Sequence, residues 1–254
     1  MSTSLTRGLR IIEVLAQESR SLGVTEIAQR TGSSKSGVHS LLAALVRAGY
    51  AQRGASRTYR LGIKAWEIGR ALPVSRLIRA ASPLMAELAS RLEEGVILGV
   101  LDGSEVVYVH KVESDQAVRV HAEVGDRIPG HCTSTGLALL AALDDAVVDR
   151  LLPDKLAAIT PSTIVDHHAL HSELRRVRLR GYSVNRGGWR TDVGGVAAAI
   201  YVKDAKPSLI AGLCVAVPRY RMTQAWIAKN APMVVRYAAR IGEAVGADAP
   251  RVAA

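Results

Sequence analysis

The apolar positions of the first seventy residues form three helical stripes followed by two short extended runs. Leu5, Leu9, Ile12 and Ala16 recur at helical spacing, and Ile11 and Leu15 widen the stripe, which predicts a helix over residues 5–16. Ser21-Leu22-Gly23 breaks the pattern. Residues 25–30 then predict a short helix with Glu26 in its first turn, favourable at the positive end of a helix dipole, stopping at Thr31-Gly32. Ser33-Ser34-Lys35-Ser36 opens a third helix whose Val38, Leu41, Leu42 and Leu45 share one stripe, ending near Ala48-Gly49. Helix, glycine turn, helix is the helix-turn-helix pattern. Behind it, residues 50–53 and 58–61 are extended runs around Gly54-Ala55-Ser56-Arg57, which predicts a hairpin able to serve as a wing.

Residues 64 to about 79 read as helical with an interruption at Pro73, and Pro83 predicts a fresh helix start across residues 84–92. Farther on, residues 96–101, 106–112, 118–124, 197–202 and 209–217 are apolar and rich in β-branched residues, which predicts strands. Helices are expected over residues 135–142, 146–152, 169–180 and 223–245. Together these predict a helix-flanked sheet with antiparallel hairpins, and an α+β chain divided into residues 1–63, a linker helix at 64–80 and a larger domain at 81–254.

Charge sharpens this division. Residues 1–76 carry 12 Lys and Arg against 4 Asp and Glu, a balance of +8, whereas residues 77–254 carry 21 against 19, a balance of +2. Cations clustered in one small domain are the footprint of a polyanion partner, because each neutralised phosphate releases condensed counterions. The 2 cysteines, Cys132 and Cys214, have no metal-ligand spacing, which predicts free thiols in a reducing compartment. The longest apolar stretches fall well short of a membrane span, and residues 1–10 carry no export signal, so a cytoplasmic location is expected.

In a helix-turn-helix the first turns of the second helix meet base edges, so small polar residues and a cation are wanted there. Ser34, Lys35, Ser36, Gly37, His39 and Ser40 supply them, and Arg53, Arg57, Tyr59 and Arg60 of the hairpin are candidates for phosphate or minor-groove contact with double-stranded DNA.

The run from Thr25 to Leu42, followed by Gly49-Tyr50 and Tyr59-Arg60-Leu61-Gly62, resembles the IclR family of transcription regulators. The resemblance continues through Leu101-Asp102-Gly103, Val107-Tyr108, His131-Cys132-Thr133-Ser134-Thr135-Gly136, Thr160-Pro161-Ser162-Thr163-Ile164, Arg180-Gly181-Tyr182 and Gly195-Val196-Ala197-Ala198, nearly the whole chain. It implies a winged helix-turn-helix, a linker helix and a GAF-like α/β/α effector-binding domain. Homodimers or tetramers on palindromic operators are implied as well, acting as repressor or activator. Gly37 and Ser40 depart from the family, which often carries a larger polar residue and an Arg there, so Lys35, Ser36 and His39 carry more of the expected readout.

Pro129-Gly130-His131-Cys132-Thr133-Ser134 joins extended chain to a helix start, whose amides and positive dipole end suit a carboxylate. The resemblance places this stretch along the effector cavity, opposite Gly194, Gly195 and Val196 and beneath the loop before them. The family often has Cys or Ser where Gly195 stands, and an acidic loop where this chain reads Asn185-Arg186-Gly187-Gly188-Trp189-Arg190. Room at Gly195, a cation at Arg190 or Arg186 and a ring at Trp189 point to a small carboxylate, aromatic where Trp189 stacks on it. Gly130, His131, Cys132, Thr133, Ser134, Trp189, Arg190, Gly194, Gly195 and Val196 are therefore the candidate effector residues.

No catalytic residue, metal site or cofactor is expected. His167 and His171 share one helical face without a third ligand, adjacent His131 and Cys132 are poorly placed as a dyad, and GxSxG, GxxxxGK[ST] and HExxH motifs are absent. The competing readings are a ligand-independent nucleic-acid-binding protein and a small-molecule enzyme.

Overall fold

In the computed structural model the chain divides into two units, Met1–Ser75 and Arg76–Ala254, and the structure describes residues 3–201 and 210–247. The first unit contains α1 (Ser4–Ala16), β1 (Leu22–Gly23), α2 (Val24–Thr31), α3 (Lys35–Arg47), β2 (Ala51–Arg53), β3 (Thr58–Leu61) and α4 (Lys64–Gly69). Each of the three leading helices has a reason to start. Thr3 Oγ1 accepts from the Thr6 amide at 3.2 Å, α2 follows the break at Gly23, and Ser34 Oγ accepts from the Gly37 amide at 3.3 Å. Ile11, Leu15, Leu22, Ile27, Val38, Leu42 and Tyr59 close one core between the helices and the sheet. The small antiparallel sheet runs in the order β1-β3-β2.

Tyr59 corrects the sequence reading. Its ring is only 5% exposed and belongs to that core, because Tyr59 and Leu61 alternate inward along β3 while Arg60 points outward. A second correction falls on Pro83. Helix α5 (Pro73–Leu92) passes straight through it instead of restarting after it. Proline forfeits an amide bond and crowds the preceding turn, at about 3 kcal/mol. Burial of Leu77, Ala81, Met85 and Leu88 on one face outweighs that local cost.

The second unit continues with β4 (Gly95–Asp102), β5 (Glu105–Val112), β6 (Arg127–Pro129), α6 (Ser134–Ala141), α7 (Asp145–Leu151), α8 (His167–Arg180), β7 (Ser183–Arg186), β8 (Val193–Tyr201), β9 (Ile210–Pro218) and α9 (Gln224–Ala247). Among the described residues six strands lie in the order β6-β5-β4-β9-β8-β7, and every pairing is antiparallel. Strand alternation gives the sheet two apolar faces. Ile97, Tyr108, Ala197, Cys214 and Ala216 meet Ala138 and Leu139 of α6. On the other face Ile200 approaches α9, whose Gly242 lies against the Tyr201 carbonyl. Helix α8 covers α6 through Leu170, Leu174 and Val177. The order is helix, sheet, helix, as the α/β/α expectation required.

The strand expected over residues 118–124 is absent. Its backbone leaves the sheet ladder and finds side chains instead: Arg221 Nη2 donates to the Val118 carbonyl and Lys111 Nζ to the Ala122 carbonyl, each at 2.9 Å. Residues 202–209, which include the predicted ends of two strands, lie outside the described residues.

Candidate functional site

In the first unit, Val38 and Leu42 are fully buried and fix α3 to its neighbours. That leaves Ser34, Lys35, Ser36, His39 and Ser40 exposed on the opposite side, with Gly37 half-buried. The hairpin after it presents Arg53, Arg57 and Arg60, all exposed. Ser56 and Arg57 both sit in the left-handed region, at φ 56° and 58°. Non-glycine residues there are strained by of order 1 kcal/mol each, so the tip has a defined and unusual shape.

The cations of this unit fall into two sets. Arg20 and Arg30 bind Glu26 and Glu18, and the Arg20 guanidinium holds the Glu26 carboxyl below the usual carboxylate range. Lys35, Arg53 and Arg57 have no carboxylate partner among the described residues, and Arg60 meets only the neutral Gln52 Oε1 at 3.1 Å. Unpaired cations on one helix start and one hairpin are what a phosphate backbone needs.

In the second unit, a partly open hollow of about 530 Å³, counting the solvent-filled space at its mouth, lies between the sheet and the start of α6. Of the candidate effector residues, Cys132, Thr133, Ser134, Trp189, Arg190, Gly194 and Gly195 line it. Gly195 matters for its size, because a Cβ there would lie 2.5 Å from Ser134 Oγ and 3.1 Å from Cys214 Sγ. Gly136 matters for the frame: a Cβ would lie 2.0 Å from the Gly130 carbonyl, so only glycine lets α6 start on the preceding turn.

Three candidates do not reach the cavity. Gly130 is buried under Gly136. His131, 3% exposed, turns away from its neighbour Cys132, meets the Ala157 carbonyl at 2.9 Å through Nε2 and faces a separate groove. Val196 alternates to the opposite sheet face from Gly195, paired with Val215.

The cavity interior is uncharged and mainly apolar, with Ile97, Val120, Ile128 and Ala216 beside the hydroxyls and thiols of Tyr108, Ser134, Cys132 and Cys214. Burial pushes the Cys132 thiol up to about 12, and it raises the Cys214 thiol and the Tyr108 phenol above their ordinary values. All three stay protonated at neutral pH, which leaves the thiols poor nucleophiles. The charged groups Arg190 and Asp126 are exposed at the mouth, beside the exposed imidazole of His121. Among the described residues Arg190 has a single loose ion pair, with Asp192 at 3.4 Å.

Sequence reasoning missed Tyr108, Asn185, Cys214 and the wall at residues 120–122. Inward alternation along β5 and β9 was the available signal for Tyr108 and Cys214. Asn185 bridges two walls: its Nδ2 donates to the Cys132 carbonyl at 3.0 Å, and its Oδ1 accepts from the Gly188 amide at 2.8 Å. The paired histidines each have protein partners, His171 with Asp149 Oδ1 at 2.7 Å and His167 with the Pro153 carbonyl at 3.1 Å. Among the described residues no helix is long and apolar enough to cross a membrane.

Comparison with known proteins follows the same division. The IclR helix-turn-helix domain matches residues 4–55, and the bacterial transcriptional regulator IclR C-terminal domain matches residues 69–243. The chain is 32% identical over 247 residues to the HTH-type transcriptional regulator KdgR of Escherichia coli K12, covering 96% of this chain and 93% of that one. It is 31% identical over 225 residues to the Pca regulon regulatory protein of Pseudomonas putida, covering 87% and 76%. Among solved structures, an IclR homolog from Microbacterium hydrocarbonoxydans complexed with 4-hydroxybenzoate matches 97% of this chain and 100% of its own, at 26% identity and a TM-score of 0.83. With family models covering both the DNA-binding head and the ligand-binding domain, the chain belongs to the IclR family of transcriptional regulators.

Proposed function

We propose that this protein is a sequence-specific regulator that binds a palindromic operator as a homodimer or a dimer of dimers, and that a small aromatic carboxylate in the cavity changes its operator affinity. In the head, Lys35, Ser36 and His39 read base edges from the exposed side of α3, with Ser34, Gly37 and Ser40 beside them, and Arg53, Arg57 and Arg60 hold phosphates. Residues 64–80, which run from the first unit into the second, carry the coupling between ligand and DNA.

One observation carries the ligand class. The cavity has an uncharged interior bordered by the ring of Trp189 and by the positive end of α6, while the loosely paired Arg190 is exposed at its edge. An apolar ring with one anionic group fits that distribution, the ring toward Tyr108 and Trp189 and the carboxylate toward Arg190. The 4-hydroxybenzoate complex of the Microbacterium homolog supports the same class.

Calorimetric titration with a panel of benzoates, 4-hydroxybenzoate among them, and of aliphatic acids tests this reading. A binding aromatic acid is expected to shift operator affinity by about fivefold or more, and the operator must shift the acid's affinity reciprocally. Indifference to every member of the panel would remove the carboxylate assignment.

A further inference from the structure

The cavity loop at residues 187–190 belongs to the hairpin between β7 and β8, yet its position is set from outside that hairpin. Thr160 Oγ1 donates to the Gly187 carbonyl at 2.6 Å, and Thr163 Oγ1 donates to the Gly188 carbonyl at 2.7 Å. These bonds span 27 and 25 residues of sequence. Neither threonine lines the cavity.

The segment that makes them is itself rigid. Pro161 fixes one backbone angle of the turn. Thr163 Oγ1 accepts from the Thr160 amide at 2.8 Å and the Ile159 amide at 3.2 Å, and Thr160 Oγ1 accepts from the Ser162 amide at 3.1 Å. Just beyond, Asp166 caps α8, its Oδ2 accepting from the Ala169 amide at 2.7 Å. On the inner side the same loop is held by Asn185, and it has no slack there. A Cβ on Gly188 would lie 2.6 Å from Asn185 Nδ2 and 2.8 Å from the Cys132 carbonyl. Residues 187 and 188 are thus clamped between two threonine hydroxyls and one carboxamide, immediately before Trp189 and Arg190.

We propose that Thr160 and Thr163 are positioning residues for the ligand cavity: they preset Trp189 and Arg190 through the Gly187 and Gly188 carbonyls without touching ligand. The role assigned to Trp189 and Arg190 rests on the cavity being the effector site, whereas the clamp itself can be tested with no ligand present.

The full-length chain carrying Trp66→Phe and Trp226→Phe keeps Trp189 as its sole tryptophan. In that background Thr163→Val is expected to raise acrylamide quenching of Trp189 by about twofold or more, because buried carbonyls left without a donor open the loop locally. Thr163→Ser, which keeps the hydroxyl, is expected to restore the parent slope. A role in general stability alone would lower the melting temperature without this selective, hydroxyl-dependent exposure. Thr160→Val keeps the two amide bonds to Thr163 Oγ1, losing only the hydroxyl contact at 3.3 Å, and carries the same expectation should Thr163→Val not fold. Unchanged Trp189 quenching in a folded valine variant, or failure of serine to restore it, would overturn the proposal. Indifference to the carboxylate panel with an intact quenching response would instead remove only the effector reading.

Discussion

The two units handle charge in opposite ways. The first exposes its cations, and those on α3 and the hairpin carry no carboxylate partner among the described residues. The second holds neutral groups inside its cavity, with Cys132, Cys214 and Tyr108 kept protonated by burial and the charges confined to the rim. Long-range attraction to a polyanion suits the first arrangement, and selection by shape and hydrogen bonds suits the second. Each half can therefore be damaged without imitating damage to the other.

The largest effect is expected at the frame of the cavity. Gly136→Val drives a side chain into the Gly130 backbone, which cannot yield as a side-chain tip does, and should cost about 3 kcal/mol or more. Urea unfolding of the intact chain measures it, and a loss within the ordinary range of surface substitutions would show that the turn before α6 can move.

The next effect separates the two sets of cations in the head. Arg57→Ala and Lys35→Ala should each lower DNA affinity by of order tenfold, and Arg57→Ala should lower the salt slope by about one. Arg20→Ala, whose guanidinium is already taken by Glu26, should change affinity by less than about twofold. Equal losses from both sets, read by fluorescence anisotropy, would erase the distinction between paired and unpaired cations.

Gly195→Ala should leave the fold intact and weaken carboxylate binding by about tenfold, since the new methyl meets Ser134 Oγ and Cys214 Sγ at the cavity wall. DNA binding without ligand should not change. Calorimetry on the variant decides this, and undiminished ligand affinity would move the site away from Gly195.

The smallest effect at neutral pH comes from the buried thiol. Cys132 is raised to about 12 in the fold, so the unfolded chain loses this proton first as pH rises. Its contribution is fully present below the unfolded thiol value of about 8.5 and is lost as pH climbs from there toward the folded value. The urea midpoint should hold steady from about pH 6 to 8 and decline above pH 9, with a shallower decline in Cys132→Ser. Parallel declines in both proteins would deny Cys132 a share in the effect.

The same contrast governs what could be read without the structure. The helix-turn-helix was legible because its signals are local: a cap at Ser34, a stop at Gly32 and a stripe from Val38 to Leu45 lie within a few residues of each other. Tyr59 has a phenol that suits a polar contact, yet the alternation of β3 puts it beside Leu61 on the core side. The cavity was half legible. The turn at residues 132–134 and the pair Gly194-Gly195 stood out as glycine and hydroxyl clusters. Tyr108, Asn185 and Cys214 come from three separate strands, and only tertiary folding brings them together. Residues 118–124 look like a strand by side chain, but the guanidinium of Arg221 and the ammonium of Lys111 compete for the carbonyls that a ladder would use.

The proposed function couples exposed cations of the first unit, which hold DNA phosphates, to an uncharged cavity in the second. Titrating the full-length protein against the DNA flanking its own gene, across a salt series and with and without the tightest-binding aromatic acid, tests it most directly. A linear fall of log affinity with log salt is expected, at a slope equivalent to several phosphates, shifted bodily by the acid in the parent protein and shifted as far in Gly195→Ala only at about tenfold higher acid. No affinity at low ionic strength in either state, or the same acid dependence in parent and variant, would overturn it.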